Sequence, residues 1–97
     1  MPYIGQLSQA QSYRFETNAT LKGSVTVVTI RRDRISEVDT LPGTNPTADR
    51  TISNGVARLI FFVNPGPNSS VLFKLSQNTI VVEETCTSDM QFAFDVV

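Results

Sequence analysis

The sequence predicts an all-β chain folded as one antiparallel β-sandwich, jelly-roll-like or built from about seven to eight strands, with a small barrel as the alternative. Three observations carry this reading. Short runs alternate apolar and polar residues or are β-branched nearly throughout; Gly, Pro, Asn and Asp clusters separate them at short spacing; and no stretch repeats with helical period. With 97 residues, 40% hydrophobic and 18% charged, the chain is long enough for one core and too apolar for disorder.

Met1 to Gln11 is mixed in character and is expected to lead in as an N-terminal arm or short edge segment. Ser12 to Glu16 sets Tyr13 and Phe15 against Arg14 and Glu16, the alternation of a half-buried strand. Ser24 to Ile30 (Ser-Val-Thr-Val-Val-Thr-Ile) is a second strand, in which the apolar face changes between Val27 and Val28, so that both faces are covered or a bulge lies there. Arg31 to Asp49 then changes composition. Pro42, Gly43 and Pro46 lie so close together that neither strand nor helix is expected to persist, and the segment reads as a long surface loop, the first place to look for a binding surface.

Thr47 to Ser53 is followed by Asn54-Gly55, a strong hairpin signal because a type I′ turn needs positive φ at both central residues. Val56 to Val63 (Val-Ala-Arg-Leu-Ile-Phe-Phe-Val) is the most hydrophobic run in the chain. Ala57, Leu59, Phe61 and Val63 are predicted on one face, and Val56, Ile60 and Phe62 on the other. A strand apolar on both faces belongs in the interior of a sheet. Asn64-Pro65-Gly66-Pro67 stops it, since proline cannot donate to a ladder. Val71 to Ser76, a tight Gln77-Asn78 connection and Thr79 to Thr85 follow, which makes Thr47 to Thr85 a four-stranded antiparallel meander. Met90 to Val97 closes the chain as a strand whose apolar character exposes it to edge pairing. The phenylalanines Phe15, Phe61, Phe62, Phe73, Phe92 and Phe94 are expected mostly in the core.

Composition excludes more than it selects. Histidine is absent and there is one cysteine, Cys86. That removes the commonest general base and metal ligand, any internal disulfide and any multi-cysteine zinc site; Cys86 is expected to behave as a small, semi-buried hydrophobe. Neither a Gly-x-Ser-x-Gly elbow nor a phosphate loop nor a dinucleotide fingerprint occurs, so neither enzyme activity nor a cofactor is expected. The net charge of −1 and the scarcity of exposed aromatics among basic residues argue against nucleic acid as a partner. No apolar run reaches the roughly 18 residues of a membrane-spanning helix, and no signal peptide is expected, which points to the cytoplasm or to a place in an assembled particle.

The basic cluster Arg31, Arg32 and Arg34 around Asp33, with Glu37 and Asp39 downstream, is the candidate interaction loop. Arginine forks suit phosphate or carboxylate, but local pairing with Asp33, Glu37 and Asp39 is the simpler expectation. The three acids are not spaced as a calcium loop, and no metal site is expected. Glu83 and Glu84 are adjacent in a strand, point to opposite faces and cannot form a carboxylate pair. Tyr3 and Tyr13 are the candidate stacking aromatics if the chain binds carbohydrate. Asn18-Ala19-Thr20 and Asn68-Ser69-Ser70 match the glycosylation pattern. Residues 1 to 34 carry five basic groups (Arg14, Lys22, Arg31, Arg32, Arg34) against Glu16 and Asp33, whereas residues 75 to 97 carry Glu83, Glu84, Asp89 and Asp95 without a base. Such an asymmetry favours association if the two regions lie on different surfaces. The expectation is therefore a non-enzymatic sandwich acting by binding or self-assembly, as a homo-oligomer or a structural subunit of a larger particle, with a carbohydrate or small-ligand module as the alternative.

Overall fold

The computed structural model describes residues 3–9, 11–17, 23–33, 37–41 and 47–97. Among these, nine strands run in the order β1 (Tyr3–Leu7), β2 (Ser12–Thr17), β3 (Ser24–Arg31), β4 (Glu37–Leu41), β5 (Thr47–Thr51), β6 (Val56–Asn64), β7 (Val71–Gln77), β8 (Ile80–Cys86) and β9 (Met90–Val96). They form a five-stranded sheet, β1-β9-β6-β3-β4, and a four-stranded sheet, β5-β2-β7-β8. All pairings are antiparallel except β1 with β9. The two sheets pack as a sandwich, not as a closed barrel.

The core lies between the sheets and is largely phenylalanine. Phe61 of β6 is its hub: its ring stacks on Phe15 at 5.8 Å and meets Phe73 at 5.5 Å, Phe94 at 5.9 Å and Tyr13 at 6.1 Å edge to face. Phe73 stacks on Phe92 at 4.0 Å. The predicted inner strand is β6, which pairs with both β3 and β9. Its alternation is interrupted near its start. Ile30 pairs with Arg58 but Arg31 pairs with Val56, so Ala57 is an extra residue on β6. This bulge turns Val56 onto the core face beside Leu59, Phe61 and Val63, where strict alternation had placed it outside. No such shift occurs at Val27/Val28: Val27 faces the core and Val28 the outside, where it is half-buried.

Four expectations are corrected by topology. Arg31 to Asp49 is not one long surface loop, because Glu37–Leu41 pairs with β3 and Thr47–Thr51 with β2; Pro42, Gly43 and Pro46 lie outside the described residues. Asn54-Gly55 does not close a hairpin. Its flanking strands belong to different sheets, and only Gly55 has positive φ, at 89°, so the turn is a corner between layers and not the type I′ turn that needs two such residues. The Thr47 to Thr85 meander dissolves for the same reason: β5, β7 and β8 lie in one sheet and β6 in the other. Only Asn78-Thr79 joins paired neighbours there, with Asn78 at φ 53°, a conformation asparagine tolerates. Finally, β9 is not an edge, because β1 covers it in parallel register from Tyr3↔Phe92 to Leu7↔Val96. The expected N-terminal arm thus contributes an edge strand.

A buried amide fixes the crossing from β1 to β2. The Ser8 N–H donates to Gln77 Oε1 at 2.7 Å, and Gln77 Nε2 donates back to the Ser8 carbonyl at 3.1 Å. Gln77 is 2% exposed, so these two bonds satisfy a group that would otherwise be costly to bury.

Candidate interaction surface

Because side chains alternate along a strand, the strand registers decide which residues share each outer face. On the four-stranded sheet, Glu16 faces Lys74, which faces Glu83; the next row reads Asp49, Arg14, Ser76 and Val81. Opposite charges alternate there, and Arg14 Nε lies 3.4 Å from Glu16 Oε1. That is a solvated face.

The outer face of the five-stranded sheet differs in kind. Its middle row reads Ile4, Ala93, Ile60, Val28 and Val38 across all five strands, without one polar side chain. A second row contains Gln91, Phe62 and Thr26. Charge enters only in the third row, where Arg58 Nε donates to Asp95 Oδ1 at 2.8 Å beside Gln6 and Ile30. The large side chains stand proud: Ile4 is 66%, Val38 69% and Phe62 42% exposed, whereas Ala93 between them is buried. Three such rows over five strands span about 24 by 20 Å, on the order of 500 Å². The apolar part of that area is the middle row together with Phe62, rimmed by the polar and charged residues of the outer rows.

At one end of this face a groove of about 610 Å³ is lined by Phe62, Thr26, Ser24, Asn64, Asp89 and Gln91, among others. Asn64 Oδ1 already accepts the Gly66 N–H at 2.8 Å. Its amide nitrogen remains the donor end of that side chain.

Of the candidate interaction loop, Arg31 and Arg32 are engaged with the fold. Arg31 Nε donates to Glu37 Oε1 at 3.2 Å and its Nη1 to Ser53 Oγ at 3.1 Å. Arg32 ties the corner to the end of β9, with its N–H on the Gly55 carbonyl at 2.9 Å and its guanidinium on the Val96 carbonyl at 3.2 Å. Arg34 lies outside the described residues. Asp39 stands in β4 opposite Val27, and Tyr3 in β1 opposite Phe92; their side chains are outside what the structure describes. Tyr13 is no stacking platform, because at 5% exposure it belongs to the core. Among the described side chains the aromatic that faces outward is Phe62, whose place opposite Phe61 on the same strand was legible but whose neighbours on the face were not.

Among the described residues, several charges of the two terminal regions have partners near them. Asp95 is paired with Arg58, Glu83 stands opposite Lys74, and Arg14 and Arg31 have partners on their own sides. Among the described residues no three of His, Cys, Asp or Glu come together as a metal group. No described helix is long and apolar enough to cross a membrane. Cys86 is buried, and that burial, with a smaller contribution from the Glu84 carboxylate, pushes its thiol pKa up, the opposite of an activated nucleophile. Asn68 is exposed, while Asn18 lies outside the described residues.

No protein-family model, curated protein or solved structure matches the chain.

Proposed function

We propose that this protein is a non-enzymatic assembly unit, and that it associates with its own kind through the outer face of the five-stranded sheet. The observation that carries the reading is the uncharged row Ile4, Ala93, Ile60, Val28 and Val38 with Phe62 beside it, set against the charge-laced outer face of the other sheet. Both faces have the same solvent opportunity, and only one has the composition of a solvated surface. An uncharged face suits a like face: burying it desolvates no unpaired charge, and the Arg58–Asp95 pair stays at the rim. Sedimentation velocity of the wild type and of Phe62→Lys tests it. Association in the wild type, weakened by the lysine, supports the reading.

A second reading has its own observation. The groove beside Phe62 sets one exposed ring among hydroxyl, amide and carboxylate groups (Ser24, Thr26, Asn64, Gln91, Asp89), the mixture that suits the apolar face and the hydroxyls of a neutral saccharide. The stacking aromatic at this groove is then Phe62, since Tyr13 is buried. Saturation-transfer NMR against a panel of neutral oligosaccharides tests it. Signal that disappears in Phe62→Ala favours a ligand module, and silence across the panel removes it.

A further inference from the structure

Four strands form the edges of the two sheets: β1, β4, β5 and β8. An edge offers unpaired N–H and C=O groups to any other strand, and proteins guard such edges with charge. Three of these edges are guarded, by Glu37 and Asp39 in β4, by Asp49 and Arg50 in β5, and by Glu83 and Glu84 in β8. The fourth, Tyr3-Ile4-Gly5-Gln6-Leu7, carries no charge at all. Among the described residues β1 pairs with β9 alone, and its other side has no strand partner among them.

We infer that β1 is a homotypic docking edge, and that two copies of this chain join β1 to β1 antiparallel about a two-fold axis normal to the sheet, continuing the five-stranded sheet from one copy into the next. Two features select a second copy. In a two-fold antiparallel pair each edge residue meets itself or a near neighbour of the same strand. The guarded edges would therefore bring acids against or beside their own copies, whereas β1 opposes only uncharged residues. The second feature is area, and here the inference rests on the assembly reading above. A face of about 500 Å² falls short of the roughly 800 Å² per partner of a standard interface. Joining two copies at β1 places their outer faces side by side, apolar row next to apolar row, and doubles the total face, polar rim included, to about 1,000 Å², which exceeds it. Ile4, the end of one apolar row, then lies next to the end of the other. Two such pairs stacked face to face form a closed tetramer with dihedral symmetry, in which edge and face contacts are separate interfaces.

The test separates the two contacts. Phe62→Lys charges the face and leaves β1 untouched; Phe62→Ser does the same by polarity should the lysine variant fold poorly. In that background the edge pair is expected to survive as a dimer by sedimentation velocity. Hydrogen exchange of the β1 amides should slow by about tenfold or more on going from dilute to concentrated protein. Adding Gln6→Lys, which puts a lysine guard on the edge, should give a monomer with β1 exchange independent of concentration. The inference is overturned if the wild type associates but Phe62→Lys and Phe62→Ser are monomers with concentration-independent β1 exchange; the face then acts alone and the assembly reading stands. A monomeric wild type overturns both.

Discussion

Phe61 and Phe62 are neighbours in one strand and should behave as different residues in every stability measurement. Phe61 is fully buried and its ring meets Tyr13, Phe15, Phe73 and Phe94 at centroid distances of 5.5 to 6.1 Å. Replacing it with alanine removes the hub between the sheets and leaves a cavity, a loss of about 3–5 kcal/mol. At about 4–8 °C per kcal/mol for a chain of this size, the melting temperature should fall by roughly 12–40 °C. Phe62 is 42% exposed on the outer face, so only a little over half of a phenylalanine's burial is at stake. Phe62→Ala should cost about 1 kcal/mol in the isolated chain. Urea unfolding followed by far-UV circular dichroism, at dilutions where the chain is monomeric, measures both values. Equal losses, or a larger loss at Phe62, would refute the assignment of the two faces and the register of β6 with it.

Gln77→Ala should lose about 1–3 kcal/mol, because the Ser8 N–H and carbonyl are then left without their amide partner in a buried place; urea midpoints decide it, and a neutral result would mean that water replaces the amide. The raised pKa of Cys86 means that the folded state holds the thiol proton more tightly than the unfolded chain does. Its contribution to stability is therefore complete below the unfolded thiol value of about 8.5 and declines as pH rises above it. Cys86→Val should abolish that part of the alkaline decline in urea midpoints, and the native thiol should react slowly with a disulfide reagent at neutral pH. The Arg58–Asp95 pair, with both side chains 40% or more exposed, should show a coupling of about 0.2–1 kcal/mol in a double-mutant cycle and less in high salt.

Much of the fold was legible in the residues, and what was not shares a physical cause. Alternation in Ser12 to Glu16, Val71 to Ser76 and Met90 to Val97 marked β2, β7 and β9, because a face that must be buried writes a period of two into the sequence. β4 was missed. Glu37-Val38-Asp39-Thr40-Leu41 is acidic and sits at an edge, and Glu37 and Val38 are exposed there, so burial writes no period of two into its start. Asn54-Gly55 announced a reversal correctly, but a turn signal is local and cannot say whether the strands on either side pair or part into different layers. The same holds for Val56: a one-residue bulge, invisible in composition, moved it to the core. Of the candidate surface, the place of Phe62 and Ile60 on the face opposite Phe61 could be read from Val56 to Val63, but the exposure of Phe62, grouped by sequence with the core phenylalanines, could not. Their alignment with Ala93, Ile4, Val28 and Val38 required the strand order, which no single-strand pattern contains. The arginine cluster drew attention by composition, and the fold uses Arg31 and Arg32 to secure a corner.

The assembly reading places an associating surface on the outside of the five-stranded sheet, and its most direct test is the sedimentation velocity of the wild-type chain beside Phe62→Lys over a dilution series. The expected result is a concentration-dependent oligomer that survives high salt, because the contact is apolar, and a shift to smaller species in the lysine variant with unchanged far-UV circular dichroism. A wild-type chain that sediments as a monomer throughout, or a lysine variant that sediments as the wild type does, would contradict it.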